Sequence, residues 1–251
     1  MEVVLISGAN EGIGFYMVSQ LLKDGKQVAV LDINTSNLEQ LKREYKDKIV
    51  YFTCDIADAE LVKELTSEVN QFFGSIDYVI HNACKCLFTD FEKTSKDNFE
   101  SVYNVNFYGA INLTNAVLPI MKKQKQGKII FTGSGVGITG FKNISAYASS
   151  KAAIECLAKC LNIEYQSIGI TFHVMHPPLT KTSSCNPLPV PNEFKADPVK
   201  VGIGLAKNID KKSFFICHSL IQPIQVRLAY LFPIKLGKIM SKMACNYMKK
   251  L

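Results

Sequence analysis

No run of eighteen apolar residues occurs in this 251-residue chain, so it offers no candidate membrane-spanning helix. Met1-Glu2 leads straight into the apolar stretch Val3–Ile6, without a basic segment followed by a long apolar core, and no secretory signal is expected. Cysteine is present as Cys54, Cys84, Cys86, Cys156, Cys160, Cys185, Cys217 and Cys245, but no Cys-x-x-Cys pair and no histidine cluster occurs. That argues against zinc and against structural disulfides, and reduced, mostly buried thiols of a cytoplasmic protein are expected. Low-complexity tracts and internal repeats are also missing. Acidic residues are absent from 211–251, which carry eight Lys and Arg. The preceding 210 residues hold 21 basic and 22 acidic side chains, so the net charge of +7 belongs to the tail. A neutral body argues against a nucleic-acid-binding surface there and directs attention to what the basic tail touches.

What is present is apolar sequence enough for a sizeable core, 47% of residues, in a length that suits one large domain. Strand-length apolar runs alternate with segments of helical period. Strands are expected at Val3–Ser7, Gln27–Leu31, Ile49–Thr53, Tyr78–His81, Lys128–Thr132, Thr171–Met175 and Phe214–Cys217. Helices are expected at Gly12–Asp24, Ser36–Tyr45, Ala59–Phe73, Lys96–Val102, Phe107–Lys123, Ala146–Gln166 and Val199–Asn208. Nearly continuous apolar strands are covered on both faces, and regular alternation means parallel strands joined by right-handed crossovers. The fold expected is therefore α/β, a doubly wound, Rossmann-like parallel sheet of about seven strands over residues 1–217. Residues 218–251 form a basic amphipathic helical extension. The proline-rich stretch Pro177–Pro198 interrupts the pattern after a strand's carboxyl end, the place of a substrate-covering loop.

Three residues carry the chemistry. Ser134 lies thirteen positions before Tyr147, and Lys151 four after it. Tyr and Lys at i and i+4 share one helix face, so the ammonium is expected to lower the phenol's pKa from about 10 towards neutrality. A serine hydroxyl from a strand end could hydrogen-bond the oxygen that gains or loses the proton, as reversible ketone reduction requires. Alone the pair is weak, since roughly one such spacing is expected by chance. Other signals strengthen it. Gly8-Ala-Asn10-Glu11-Gly12-Ile13-Gly14 joins the first strand to a helix, either as a plain tight turn or as a cradle of N–H groups for a pyrophosphate. Asp32 ends the second strand eighteen residues after Gly14 and can accept both ribose hydroxyls of adenosine, or else cap a turn. No Lys or Arg occurs between Gly8 and Gly14, which with Glu11 favours NAD over NADP. Asp55, before Ile56, could bond an adenine amino group or initiate a helix. Asn82-Ala83 follows the fourth strand, where backbone passes close to a bound nucleotide. Asn106 sits in an apolar helical context and by itself says little.

Together these residues resemble the short-chain dehydrogenase/reductase family in its compact single-domain form, from residue 3 to about 217. Ser7–Gly14 matches the family's Thr-Gly-x-x-x-Gly-Ile-Gly turn, and Asp55 its adenine-contacting Asp. Asn82-Ala83 falls in its Asn-Asn-Ala-Gly segment. Pro177, Leu179, Thr180 and Thr182 fall in its nicotinamide-contacting Pro-Gly-x-x-x-Thr stretch. Asn106, Ser134, Tyr147 and Lys151 fill its catalytic tetrad. The chain departs from the pattern at Ser7 for Thr, His81 for the first Asn, Cys84 for the last Gly and Pro178 for Gly.

The resemblance implies an NAD(H)-dependent interconversion of a secondary alcohol and a ketone. Tyr147 would move the proton and Ser134 would polarise the oxygen. Lys151 would bind the nicotinamide ribose and tune the phenol, with Asn106 holding a relay water. It implies also a homodimer or homotetramer built through Phe107–Lys123 and Ala146–Gln166. A nucleotide-binding regulatory or scaffold protein without turnover is the rival reading, and an epimerase or dehydratase a further one. In the tail, Ile221, Ile224, Leu228 and Leu231 make one apolar stripe, and Leu236, Ile239, Met240, Met243 and Tyr247 a second. Lys235, Lys238, Lys242 and Lys249 oppose the second stripe. Such helices either pack on the body or a partner, or lie peripherally on an anionic membrane surface, with an apolar, lipid-like substrate to match.

Overall fold

Strands that are apolar on both sides need cover on both faces, and seven of them form one parallel sheet in the order β3-β2-β1-β4-β5-β6-β7. The computed structural model describes residues 1–186, 188 and 190–248, with residues 245–248 as backbone only. Pro187, Pro189 and Lys249 lie outside the described residues, as do the side chains of Cys245 and Tyr247. The strands are β1 (Val3–Ser7), β2 (Gln27–Asp32), β3 (Ile49–Thr53), β4 (Tyr78–His81), β5 (Gly127–Thr132), β6 (Ile170–Met175) and the short β7 (Phe215–Ile216). The doubly wound architecture expected from the alternation is the one observed.

Successive strand residues point to opposite faces, so each strand feeds two cores. Val4 and Ile6 of β1 join α1 (Gly12–Lys23), α2 (Leu38–Tyr45) and α8 (Pro198–Ala206) through Met17, Leu21, Leu38 and Leu205. Leu5 faces the other layer: α3 (Ala59–Phe73), α5 (Gly109–Gln124) and α7 (Ser145–Tyr165), through Val62, Leu113 and Ile154. Each such fully buried aliphatic side chain contributes about 1.5–3 kcal/mol. Local chemistry sets the helix ends. Asp58 caps α3 by accepting from the Leu61 N–H at 3.1 Å. Ser95 and Asn98 form a reciprocal capping box on α4 (Lys96–Tyr103).

Two features differ from the sequence expectation. The two helices expected at Lys96–Val102 and Phe107–Lys123 are one continuous rod, because a π-helical segment, Asn104–Tyr108, joins α4 to α5. A short helix α6 (Gly135–Thr139) occupies what reads as loop. It has too few residues, and too much glycine, to leave a periodic signal.

The tail forms α9 (Gln222–Leu231) and α10 (Pro233–Met248), and the packing of α9 inverts the apolar pattern, while Leu236 and Met240 of the α10 stripe face the cleft. On α9 the buried residues are Gln222, Val226 and Ala229, whereas the stripe Ile221, Ile224, Leu228 and Leu231 is exposed. On α10 the contact with α6 is made by small residues. An added Cβ at Gly237 would lie 2.4 Å from the Thr139 carbonyl, and Ala244 is buried nearby on the same face. Close backbone approach therefore replaces the larger Ile239 and Met243, which stay exposed.

Gln222 pins the tail to the sheet. Its Nε2 donates to the His176 carbonyl just beyond β6, and its Oε1 accepts from the His218 N–H at 3.1 Å. Gln222→Leu leaves both backbone groups unpaired and is expected to cost about 1–3 kcal/mol for each. Hydrogen exchange checks this: amides of α9 and α10 should lose protection while those of β1 to β6 keep theirs. Unchanged protection of α9 would refute the anchor.

Candidate functional site

The site begins where β1 and β4 end side by side. Ser7 pairs in register with His81. Gly8 then turns with φ +68°, and a Cβ there would lie 2.3 Å from the Ala83 Cα, so both the dihedral and the space demand glycine. Asn82 Nδ2 donates to the Gly8 carbonyl. Gly14, expected among the nucleotide contacts, stands behind the turn instead. Its Cβ would meet the Gly8 carbonyl at 2.5 Å, so its lack of a side chain lets α1 approach the turn it follows.

A buried chain of hydrogen bonds links this turn to the π-helical segment. His81 Nε2 lies 3.1 Å from the Asn106 carbonyl, which can only accept, so this nitrogen carries the proton. Nδ1 then accepts from the Ser7 hydroxyl at 2.9 Å, and Ser7 Oγ accepts from the Ala83 N–H at 3.3 Å. Burial, with a smaller effect of the nearby Lys151 charge, pushes the imidazole down to about 3, so the ring is neutral. No apolar periodicity announces this role; the only sequence signal is a histidine where the family has asparagine.

A cleft of about 1080 Å³ opens over the carboxyl ends of the strands. Gly8, Asn10, Glu11, Gly12 and Ile13 line it from the glycine turn, and Asp32, Asp55, Ile56, Asn82 and Ala83 from the ends of β2, β3 and β4. Ser134, Tyr147, Lys151, Pro177, Leu179, Thr180 and Thr182 line it from the other side. Gly14 and Asn106 alone of the expected site residues stand back from the cleft wall. Asp32 accepts from the Asn10 N–H at 2.8 Å and the Asn34 N–H at 3.1 Å, which fixes its carboxylate at the rim. Asp55 accepts from the Ala57 N–H at 3.0 Å, while the helix-initiating aspartate is Asp58. The proline-rich segment reaches across to the turn: Ser183 donates to the Glu11 carboxylate.

Ser134 sits in extended conformation at the N-cap of α6 without a capping hydrogen bond, so its hydroxyl is free to face the Tyr147 phenol. Lys151, one turn after Tyr147 on α7, places Nζ 5.7 Å from the phenol ring centre and donates to the Thr132 carbonyl at 2.8 Å. The expectation of a phenol lowered towards neutrality is corrected. Burial, reinforced by the neighbouring Cys84 and Cys86, pushes Tyr147 well up, and the Ser134 hydrogen bond only partly opposes it. Lys151 itself is lowered by burial. Asn106 is fully buried: its Oδ1 accepts from the Lys85 N–H at 2.7 Å, and its Nδ2 donates to Lys85 O and Ser150 Oγ at 3.1 and 2.9 Å.

Several cleft residues carry no motif. Cys84, Cys86 and Cys185 line it near Tyr147, half-buried, and burial pushes the Cys86 thiol up to about 12. The expectation of mostly buried thiols fails among the described residues, where only Cys54 and Cys217 are buried. Those cysteines are all free, and no metal-binding group of three ligands occurs among the described residues. His176 and the tail residues Gln222, Val226, Ala229, Leu236 and Met240 complete the wall. Val226 and Ala229 repeat at i and i+3 opposite the stronger outward stripe, which masks them in the sequence.

A seven-stranded parallel sheet with a glycine turn, a rim carboxylate and a Ser/Tyr/Lys cluster at its carboxyl edge defines a nucleotide-binding oxidoreductase architecture. The short chain dehydrogenase family model matches residues 2–189, and the chain belongs to the short-chain dehydrogenase/reductase family. Members of this family act on hydroxyl and carbonyl groups with a nicotinamide nucleotide. A 3-oxoacyl-[acyl-carrier-protein] reductase of Thermotoga maritima is 30% identical over 191 residues, 75% of this chain and 78% of the relative. Among solved structures, NAD+-bound xylitol dehydrogenase superposes with a TM-score of 0.75 at 23% identity, covering 86% of this chain and 96% of that one. ElxO with NADP bound superposes with a TM-score of 0.77 at 21% identity, covering 92% and 98%. At those identities the likeness is one of fold, and it spans both nucleotides.

The buried imidazole makes a pH prediction. Its pKa falls from 6.5 unfolded to about 3 folded, so below pH 6.5 the unfolded chain takes up the proton first. The stability present above that pH is lost as pH falls towards about 3. His81→Asn should flatten this part of the stability-against-pH curve in urea titrations. His173, held at about 4 by burial, titrates in the same window, so the difference between wild type and variant is the informative quantity.

Proposed function

We propose that the chain is an NAD(H)-dependent oxidoreductase that interconverts a secondary alcohol and a ketone on an apolar, lipid-like substrate. The observation that carries this reading is the Ser134 hydroxyl, left free of capping, facing the Tyr147 phenol with Lys151 one helical turn away. The glycine turn fits a pyrophosphate: a side chain at Gly8 or Gly12 would fill the space against Ala83 or Thr182. Asp32 supports NAD, because no basic residue lines the cleft beside it and Glu11 and Asp55 add negative charge. A bound nicotinamide supplies or accepts the hydride at the substrate carbon.

The chain's own residues handle the proton. In the reducing direction Tyr147, kept protonated by its enclosed setting, donates to the carbonyl oxygen, and Ser134 holds that oxygen by a hydrogen bond. Lys151, oriented by Thr132, stabilises the phenolate that forms and returns a proton to it. Asn106 acts through its main chain, since its side chain is committed to Lys85 and Ser150; its carbonyl has a lone pair beyond the one His81 occupies. Val136, Ile138, Ile144 and Leu179 with the tail residues Val226 and Met240 give the substrate end an apolar wall. The name of the Thermotoga relative, a reductase of a 3-oxoacyl chain, supports the same substrate class. Assembly as a dimer or tetramer through α5 and α7 belongs to this reading, supported by the exposed Ile163 on α7.

Two measurements test it. A panel of ketones and secondary alcohols followed by nucleotide absorbance should show turnover that Tyr147→Phe lowers by about 10²-fold or more while NADH still binds. Full turnover in that variant would sink the mechanism. NADH should be preferred to NADPH, and Asp32→Ala should erode the preference by at least about tenfold, or ~1.4 kcal/mol. A preference of the wild type for NADPH would contradict the assignment of Asp32.

A further inference from the structure

Helix α9 is built inside out for a chain that needs only to pack on itself. On α9 a polar glutamine and two small or medium residues face inward, and the long apolar residues face outward. Ile221, Ile224, Leu228 and Leu231 are 68%, 57%, 46% and 69% exposed, although they form one continuous stripe along the helix. Leu220, Phe232 and Ile234, which flank that helix in the chain, are exposed too. On α10 the helix seats itself on α6 through Gly237 and Ala244, and Ile239 and Met243 stand out on one flank. Scattered exposed apolar residues are ordinary; these nine between 220 and 243, on or flanking two consecutive helices, are concentrated enough to mark an interaction surface.

Charge decides what covers it. Arg227, Lys235, Lys238 and Lys242 are all exposed on the same two helices, and no acidic residue occurs from 211 to 251. A second copy meeting this face would bring two such clusters of like charge together, whereas an anionic lipid surface complements them. Long apolar side chains rimmed by Lys and Arg are what an interfacial helix presents to a bilayer: the apolar part enters the headgroup boundary and the ammonium groups stay among the phosphates. No helix among the described residues is long and apolar enough to cross a membrane, so the contact is one of lying on the surface.

We propose that the outward face of α9 and α10 is a docking surface for an anionic lipid bilayer. The inner face of the same α9 lines the cleft through Gln225, Val226 and Ala229, so the cleft wall and the docking face are two sides of one helix. The proposal stands apart from the oxidoreductase reading, because binding is measured without turnover.

The test is co-sedimentation of the full chain with equimolar phosphatidylglycerol and phosphatidylcholine vesicles, and with phosphatidylcholine vesicles alone. The chain should pellet with the anionic vesicles and stay in solution with the neutral ones, with binding weakened by salt. Ile224→Asp with Leu228→Asp, two exposed positions that do not line the cleft, should reduce binding at least about tenfold at an unchanged melting temperature. Should that pair fail to fold, Lys235→Gln with Lys238→Gln and Lys242→Gln decides the matter, with an expected loss of about two orders of magnitude. A chain that stays in solution with anionic vesicles overturns the proposal, as does binding that neither set of substitutions weakens. A dimer in solution that the Ile224 and Leu228 substitutions dissolve, without vesicle binding, assigns the face to a second copy and overturns it as well.

Discussion

The contact between the ends of β1 and β4 governs the rest of the molecule. These strands are neighbours in space but lie far apart in the chain, and the order of the sheet reverses between them. Helices leaving toward opposite faces open a crevice there, which is where ligands bind in open α/β sheets. The crevice is usable only if the backbones close up beneath it. Gly8 against Ala83 achieves this by the absence of a side chain, and Ser7, His81 and Asn82 lock it with buried hydrogen bonds. The same imidazole reaches the Asn106 carbonyl, so the floor of the nucleotide side and the π-helical segment bonded to Ser150 of α7 form one network. Such π-segments concentrate at functional sites, because the extra residue frees a main-chain group from the helix.

Most of the fold was legible because it rests on patterns that few residues determine. Val3–Ser7 is buried along its whole length, as a continuous apolar run in a covered sheet must be, and the bounds of Val3–Ser7 and Ile49–Thr53 both match those observed. The cleft residues of the glycine turn, Asp32, and the Ser134, Tyr147 and Lys151 cluster were legible for a related reason. Their chemistry demands particular residue types at fixed offsets from strand ends. What was not legible depends on direction. Gly14 reads as part of the nucleotide cradle, and it stands behind the turn, where a Cβ would meet the Gly8 carbonyl at 2.5 Å. The stripe that the helical period gives on α9 points outward, and the shorter pair Val226 and Ala229 faces the cleft. Periodicity reports that a face is apolar, not what lies against it.

Electrostatics show the same limit. The spacing of Tyr147 and Lys151 suggests a cation lowering a phenol, but burial is the larger effect on both groups and moves them towards their neutral forms. A low-dielectric setting raises the phenol and lowers the ammonium together, so the phenol holds its proton more firmly and the ammonium less firmly than either would in water, an effect no residue spacing encodes.

The tail wall also bears on how the protein comes into being. All seven strands and the residues that line the glycine turn precede α9 and α10 in the chain. During synthesis the sheet and its nucleotide crevice can therefore become ordered before the wall carrying Val226 and Met240 exists. The two halves of the cleft are separable in time, joined at the end by the Gln222 amide at the His176 carbonyl and by the seat of α10 on α6. Exchange of the tail between related chains would thus alter the apolar end of the cleft while leaving the assembly of the other end untouched.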